Sequence, residues 1–508
     1  MKQNKQSVAM WAGCALRTFS LAAMLLVAGS PALAFKKQFK DVQCIHSNVG
    51  HAATITHVML TDTATIVSFH KHDTTDQIHF TPETHLLDDE GRKYRIVRSE
   101  GIPHGGVFQK TAEETNDFKL VFEPLPEKTR FFDLIEGMLS AHFRILGIHD
   151  AGKPIRLPKL EDTVDVKTDD FIRMDIAHVR GRIDGYTPNM GFKAMGISLR
   201  NELTKDEISK AVVIQEDGTF ETQLPLAYPT RLYFSIELPN VFIPIHFYAV
   251  PGRTTVVNVR KDLTVDLAAS DAEILQCERL LKCGDDYLKN YDRRMYEEDR
   301  DSLSFGEMQE KLMGMSKANE RVVDYVAWRN GFNSWEYHLA RVWNKMYYAQ
   351  WILECIMDAR YAAHTKVVEE DSILVSRKME EISDMANWTF FRELPYNDPT
   401  SLTYGINTAV VLNRYEYAPV LLNGQTHVTL ENDNRQQLAN DMLITGEDSP
   451  SLWGLLSVLR KMKLDIQHFH GSKEELKKQI DILREMLVYP ALQIHLDNLY
   501  ARELERQE

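Results

Sequence analysis

Histidine is the side chain whose crowding first points to chemistry. His46, His51, His57, His70, His72, His79 and His85 all fall in one early block. His70 and His72 stand two apart on a strand pattern, so both rings can face one side, and two imidazoles can begin a zinc or copper site. Two ligands do not complete one, and spacing supplies no third. The block reads as solvated surface histidines, with His70 and His72 as the candidate metal ligands; His468-Phe469-His470 reads the same way.

The cysteines are Cys14, Cys44, Cys277, Cys283 and Cys355, and no two form a C-x-x-C pair that could do dithiol redox work. Cys277 and Cys283 lie in a helical pattern on which they point to different sides, with Gly284 placed to end the helix, so they read as buried thiols. Spacing leaves the pairing of Cys44, Cys277, Cys283 and Cys355 open. Paired carboxylates carry little information in a chain with 73 acidic residues. The chain has no G-x-S-x-G, H-E-x-x-H, Walker loop or dinucleotide glycine fingerprint, and Gly191–Gly196 lacks the Lys-Ser/Thr of a phosphate cradle. Asp398, Arg414 and Glu416 form a conceivable trio, for which a helix cap and a structural ion pair is the preferred reading. Trp335, Trp343 and Trp351, eight apart, cover too wide an arc for one helical stripe and read as core rather than as a stacking platform. No catalytic residue and no cofactor is assigned.

The elements that must position these groups change character along the chain. Lys2, Lys5 and Arg17 precede an apolar run, Leu21–Val27, and Ala32-Leu33-Ala34 supplies small residues for cleavage, so residues 1–34 read as a secretory signal. The run is shorter than the ~20 residues a membrane span requires. A formal net charge of −14 argues against nucleic acid as a partner. Residues 35–150 alternate as strands, with a short turn expected over Arg130–Gly137; residues 151–176 read as a polar linker, and 177–268 as a second strand block. From 269 to 508 the period becomes helical, with helices expected near 271–283, 304–330, 334–363, 370–390, 399–416, 433–445, 450–464 and 473–506. Asp398 should cap the helix at 399–416 and Pro399 suits its first turn, while Pro490 should start or kink the last helix. The expected fold is α+β and multidomain: two antiparallel β-sandwiches of immunoglobulin-like type, then an α-helical domain.

Three stretches carry a likeness. The first is Tyr94–Ile148, with Glu100–Ile102, FKLVFEPLPEKTRFFDLIEG (Phe118–Gly137) and FRILGI (Phe143–Ile148). The second is EDGTFETQLPL (Glu216–Leu226) with the Tyr248–Gly252 turn. The third is FRELPYNDPTSL (Phe391–Leu402) with NRYEY (Asn413–Tyr417). In this order they resemble the accessory domains of the TlpA-like thiol:disulfide reductases exported by Bacteroidales. In that family the helical segment leads into a thioredoxin domain bearing the redox motif. Here the residues after Tyr417 read as helices without cysteine, so the redox domain is expected to be missing and no redox residue carries over. The resemblance implies an exported, non-catalytic binding or accessory protein of the cell envelope. A protein or peptide is its expected partner, and no transmembrane segment is expected after signal cleavage. The alternatives are a member of a periplasmic thiol–disulfide system acting with a separate thioredoxin-domain partner, and a glycan-binding or hydrolytic protein.

Overall fold

The computed structural model describes residues 35–507 apart from 51, 73–77, 103–106, 109–116, 138–143, 239–240, 262–264, 269–275, 285, 289, 366–371, 423–431 and 468. The leader read over 1–34, with Cys14, lies outside them, as do His51, His468 and the start of the first expected helix. Two compact units result, Met1–Ile155 and Arg156–Glu508. Residues 156–174, expected as linker, therefore belong with the second unit.

In the first unit the strands are β1 (Phe35–Phe39), β2 (Val42–Gln43), β3 (His46–Ser47), β4 (Ala53–Thr61), β5 (Thr65–Lys71), β6 (Ile78–His79), β7 (His85–Asp88), β8 (Lys93–Glu100), β9 (Val107–Phe108), β10 (Asp117–Phe122), β11 (Phe131–Ile135) and β12 (Arg144–Asp150). Rather than two facing sheets, the main body is one antiparallel sheet in the order β1-β4-β5-β10-β8-β7-β11-β12-β2, with β3 also on β12. It coils until it is nearly closed, like a barrel, with β2 against β4. Thr65, Val67, Phe69 and Lys71 alternate inward along β5, as a half-buried strand should. The turn expected over Arg130–Gly137 is instead β11. Phe131, Phe132, Asp133 and Leu134 are all buried, and the register with β12 slips between Phe132 and Leu134. That bulge erases the alternation by which a strand is recognised.

The second unit opens with a short α1 (Thr168–Phe171) and continues as β13 (Asp175–Ile183), β14 (Ala194–Asn201), β15 (Asp206–Val213), β16 (Thr219–Leu226), β17 (Thr230–Leu238), β18 (Val241–Ala249), β19 (Thr254–Val259) and β20 (Val265–Ala268). These build two four-stranded sheets, β16-β13-β19-β20 and β15-β14-β17-β18, over a shared core that includes Val179, Ile197, Phe220, Phe234, Phe247 and Val257. The pairing is not wholly antiparallel, because β13 runs parallel to β19. Gly181 permits that approach: a Cβ there would stand 1.9 Å from the Val257 carbonyl oxygen.

The helical part comprises α2 (Glu278–Cys283), α3 (Arg293–Arg300), α4 (Phe305–Asn330), α5 (Ser334–Thr365), α6 (Ser372–Ser383), α7 (Ile406–Glu416), α8 (Pro419–Leu422), α9 (Asn432–Thr445), α10 (Leu452–Gln467), α11 (Lys473–Met486) and α12 (Pro490–Gln507). Ser304 and Glu307 close a capping box on α4, and Gly331 ends it in a left-handed conformation. The single helix expected over 399–416 is two elements. Asp398 does cap the start, accepting from the Thr400 amide, but Pro399–Tyr404 winds as a tight 3-10 turn. Gly405, at φ 72 and ψ −136, then breaks the axis before α7 begins. The stretch expected over 473–506 likewise divides, and Pro490 starts α12.

Candidate functional site

Alternation along three strands sets up the site. In β14, Met195, Ile197 and Leu199 are buried while Ser198 and Arg200 turn outward. In β17, Leu232, Phe234 and Ile236 fill the core while Arg231 and Tyr233 turn outward, and in β18 His246 does so opposite Tyr233. Among the described residues β14 and β17 pair only at Gly196↔Ser235 and Ile197↔Phe234. Beyond that ladder Ser198–Glu202 and Thr230–Tyr233 flank a cavity of about 500 Å³, closed on its far side by Leu402, Tyr404, Gly405 and Asn407 of the helical part. A sheet face that alternation alone would leave in water is thereby half covered.

Arg231 is the distinctive group. Its guanidinium carbon lies 4.9 Å from the centre of the Trp343 ring, within cation–π range. Trp343 is fully buried; its indole N–H donates to Thr403 Oγ1 at 3.3 Å, and its ring packs on Tyr404 at 5.6 Å. So the 3-10 turn that interrupts the expected helix is what seats the indole under the guanidinium. Tyr233 and His246 lie ring to ring at 5.6 Å on the same face. No carboxylate pairs with Arg231 among the described residues.

The other charges near the cavity are matched. Arg200 meets Glu207 at 3.0 Å and Glu202 at 3.2 Å. Arg460, wholly buried, donates from Nη1 to Glu202 Oε2 at 2.8 Å and from Nε to Glu416 Oε2 at 3.0 Å, and Lys205 pairs with the other Glu416 oxygen. Burial outweighs Arg460 at Glu202 and holds its carboxyl above the ordinary range. Burial likewise raises the Tyr228 phenol, whose oxygen accepts the Glu202 amide.

A second cluster resembles a nucleophile–base–acid relay. His338 Nε2 is 3.0 Å from Thr400 Oγ1, and Nδ1 is 3.0 Å from Asp162 Oδ1. Two facts defeat that use. Asp398 Oδ2 also lies 3.2 Å from Nε2, while the Thr400 hydroxyl donates to Asp398 Oδ1 at 2.7 Å. Burial disfavours the imidazolium, yet hydrogen bonds and charge from Asp162 and Asp398 outweigh it and lift His338 to about 9. At neutral pH the ring is a cation, unable to take a proton, and Thr400 is fully buried. The cluster is a clamp that fastens Asp162 to α5 and to the 3-10 turn that packs on Trp343.

The residues singled out from sequence fall elsewhere. His70 bonds Asp117 at 2.8 Å on an exposed surface, with the His72 ring 5.7 Å away. Among the described residues no group of three His, Cys, Asp or Glu is spaced to hold a metal ion. Asp398, Arg414 and Glu416 are not one site: Asp398 caps and clamps, Arg414 pairs with Glu354 at 2.8 Å, and Glu416 joins Arg460. Among the described residues Cys44, Cys277, Cys283 and Cys355 stand as thiols rather than disulfides. Burial pushes the Cys355 thiol up to about 11 and Cys277 higher still, opposite to the shift a reactive thiolate needs. Also among the described residues, no helix is long and apolar enough to cross a membrane.

No protein-family model, curated protein or solved structure matches the chain.

Proposed function

We propose that the chain is an exported, non-catalytic binding or accessory protein of the cell envelope, and that its ligand is taken in the cavity between β14, β17, β18 and the 402–407 segment. The observation that carries this reading is the cavity's combination of size, aromatic and aliphatic walls, and the Arg231 guanidinium, which has no carboxylate partner among the described residues. Concave sites of a few hundred Å³ with few, well-placed polar groups are where small ligands bind. The raised Cys277 and Cys355 thiols favour a binding role over thiol exchange. The export signal over 1–34 and the likeness to accessory domains of TlpA-like reductases support the envelope setting. The two-sheet domain is read as an immunoglobulin-like sandwich, supported by its eight strands and shared core.

Native mass spectrometry tests the reading. The protein purified without denaturation from an envelope extract should carry a discrete small adduct, lost when Asn407→Trp fills the cavity. An adduct-free protein, or one whose adduct survives that change, counts against it. An insulin-reduction assay adds an independent check: catalytic turnover by the chain alone would overturn the non-catalytic assignment.

A further inference from the structure

Resting on the cavity as a binding site, we infer that its ligand is a monocarboxylate with an apolar body, held by paired hydrogen bonds to Arg231. Charge accounting comes first. Arg200 is engaged by Glu202 and Glu207, and Arg460 by Glu202 and Glu416, which leaves Arg231 as the cavity guanidinium with no carboxylate among the described residues. Taking such a charge partly out of water is unfavourable until an anion arrives to pair with it.

Geometry selects the kind of anion. The Arg231 guanidinium lies 4.9 Å over the Trp343 ring, and the planar N–H fork of an arginine matches the two oxygens of a carboxylate. One unmatched cation suits one negative charge. A phosphate dianion would meet Glu202 and Glu207 in the same cavity, and among the described residues the other arginines near it, Arg200 and Arg460, are already paired to carboxylates. The remaining walls, Leu199, Leu232, Leu402, Tyr228 and Tyr404, are apolar or aromatic and specify the ligand's body. A free organic acid and the C-terminus of a peptide present the same group, and the test separates them.

Isothermal titration of the full chain with four probes is decisive: N-acetyl-phenylalanine, its carboxamide, a tripeptide ending in phenylalanine, and that tripeptide's C-terminal amide. The acids should bind at least tenfold more tightly than their amides. Arg231→Met should remove that preference, bringing the acids down to the level of their amides, while Ser198→Trp, placed on an outward-facing position of β14, should block all four. The Ser198 variant keeps the test open if Arg231→Met fails to fold. A tripeptide acid that binds more tightly than N-acetyl-phenylalanine assigns the peptide C-terminus; equal or weaker binding assigns a free acid. Amides as tight as acids, or Arg231→Met as tight as wild type, overturn the carboxylate assignment and leave the cavity reading standing. Failure of all four probes also overturns the assignment, and the native adduct then decides the cavity reading separately.

Discussion

Alkaline pH should loosen the clamp formed by Asp162, His338 and Asp398, and the size of the effect follows from its geometry. The imidazolium lies between carboxylates at 3.0 and 3.2 Å; burial opposes its charge, but the two partners prevail and raise the ring from 6.5 to about 9. At about 1.4 kcal/mol per pH unit, the difference amounts to roughly 3 kcal/mol. Because the folded value is raised, this stabilisation is complete below pH 6.5, falls as pH climbs through about 9, and is gone above it. The perturbation is His338→Gln, which keeps a polar side chain but cannot titrate. Urea unfolding followed by tryptophan fluorescence, run from pH ~6 to ~10 on both proteins, gives the stability gap at each pH. The gap should be roughly 3 kcal/mol at the acid end and close to zero at the alkaline end. A gap that stays constant across the range, or that widens with pH, would refute the assignment of His338 as a buried cation.

Arg460→Met should cost about 3–5 kcal/mol in the same unfolding experiment, because buried Glu416 and Glu202 lose the buried cation they share and keep only Lys205 and Arg200. Adding Glu416→Leu should recover part of that loss, and strict additivity of the two changes would argue against a shared network. Gly405→Ala meets no atom within 4 Å yet must adopt φ 72, so a loss of about 1–3 kcal/mol is expected from thermal or urea unfolding. Thiol labelling at neutral pH should modify exposed Cys44 in the native protein and reach Cys277 and Cys355 only after urea is added; equal native rates would contradict their burial.

Local signals in the chain reach some of this architecture and not the rest. The bounds of α4 are readable because Ser304, Glu307 and Gly331 act within one turn of the helix ends they define. Strand positions such as β5 are readable because their burial alternates. β11 is hidden because its bulge removes alternation. The break at Gly405 is hidden because Asp398-Pro399 is as good a start for a 3-10 turn as for a helix, and only the contacts of Trp343 and His338 distinguish them. The cavity itself leaves almost no local trace. Arg231 occupies an outward strand position that looks solvated until residues more than a hundred positions later cover it, and Asp162 meets His338 across 176 residues. Charge pairing at that range has no sequence period to follow.

The Arg460 cluster also bears on how the chain is made. Its Glu202 and Arg460 are 258 positions apart. At synthesis rates of ~5–20 residues per second, Glu202 leaves the ribosome roughly 13–50 seconds before Arg460 exists. Throughout that interval the sandwich carries a carboxylate whose final resting place is dry and whose counter-ion has not been made. The sheet face bearing Arg231 stays equally uncovered until the 402–407 segment emerges. For tens of seconds the nascent protein thus offers this face as an open, charged half-site, so a factor that shields it would find its target only on chains still being completed.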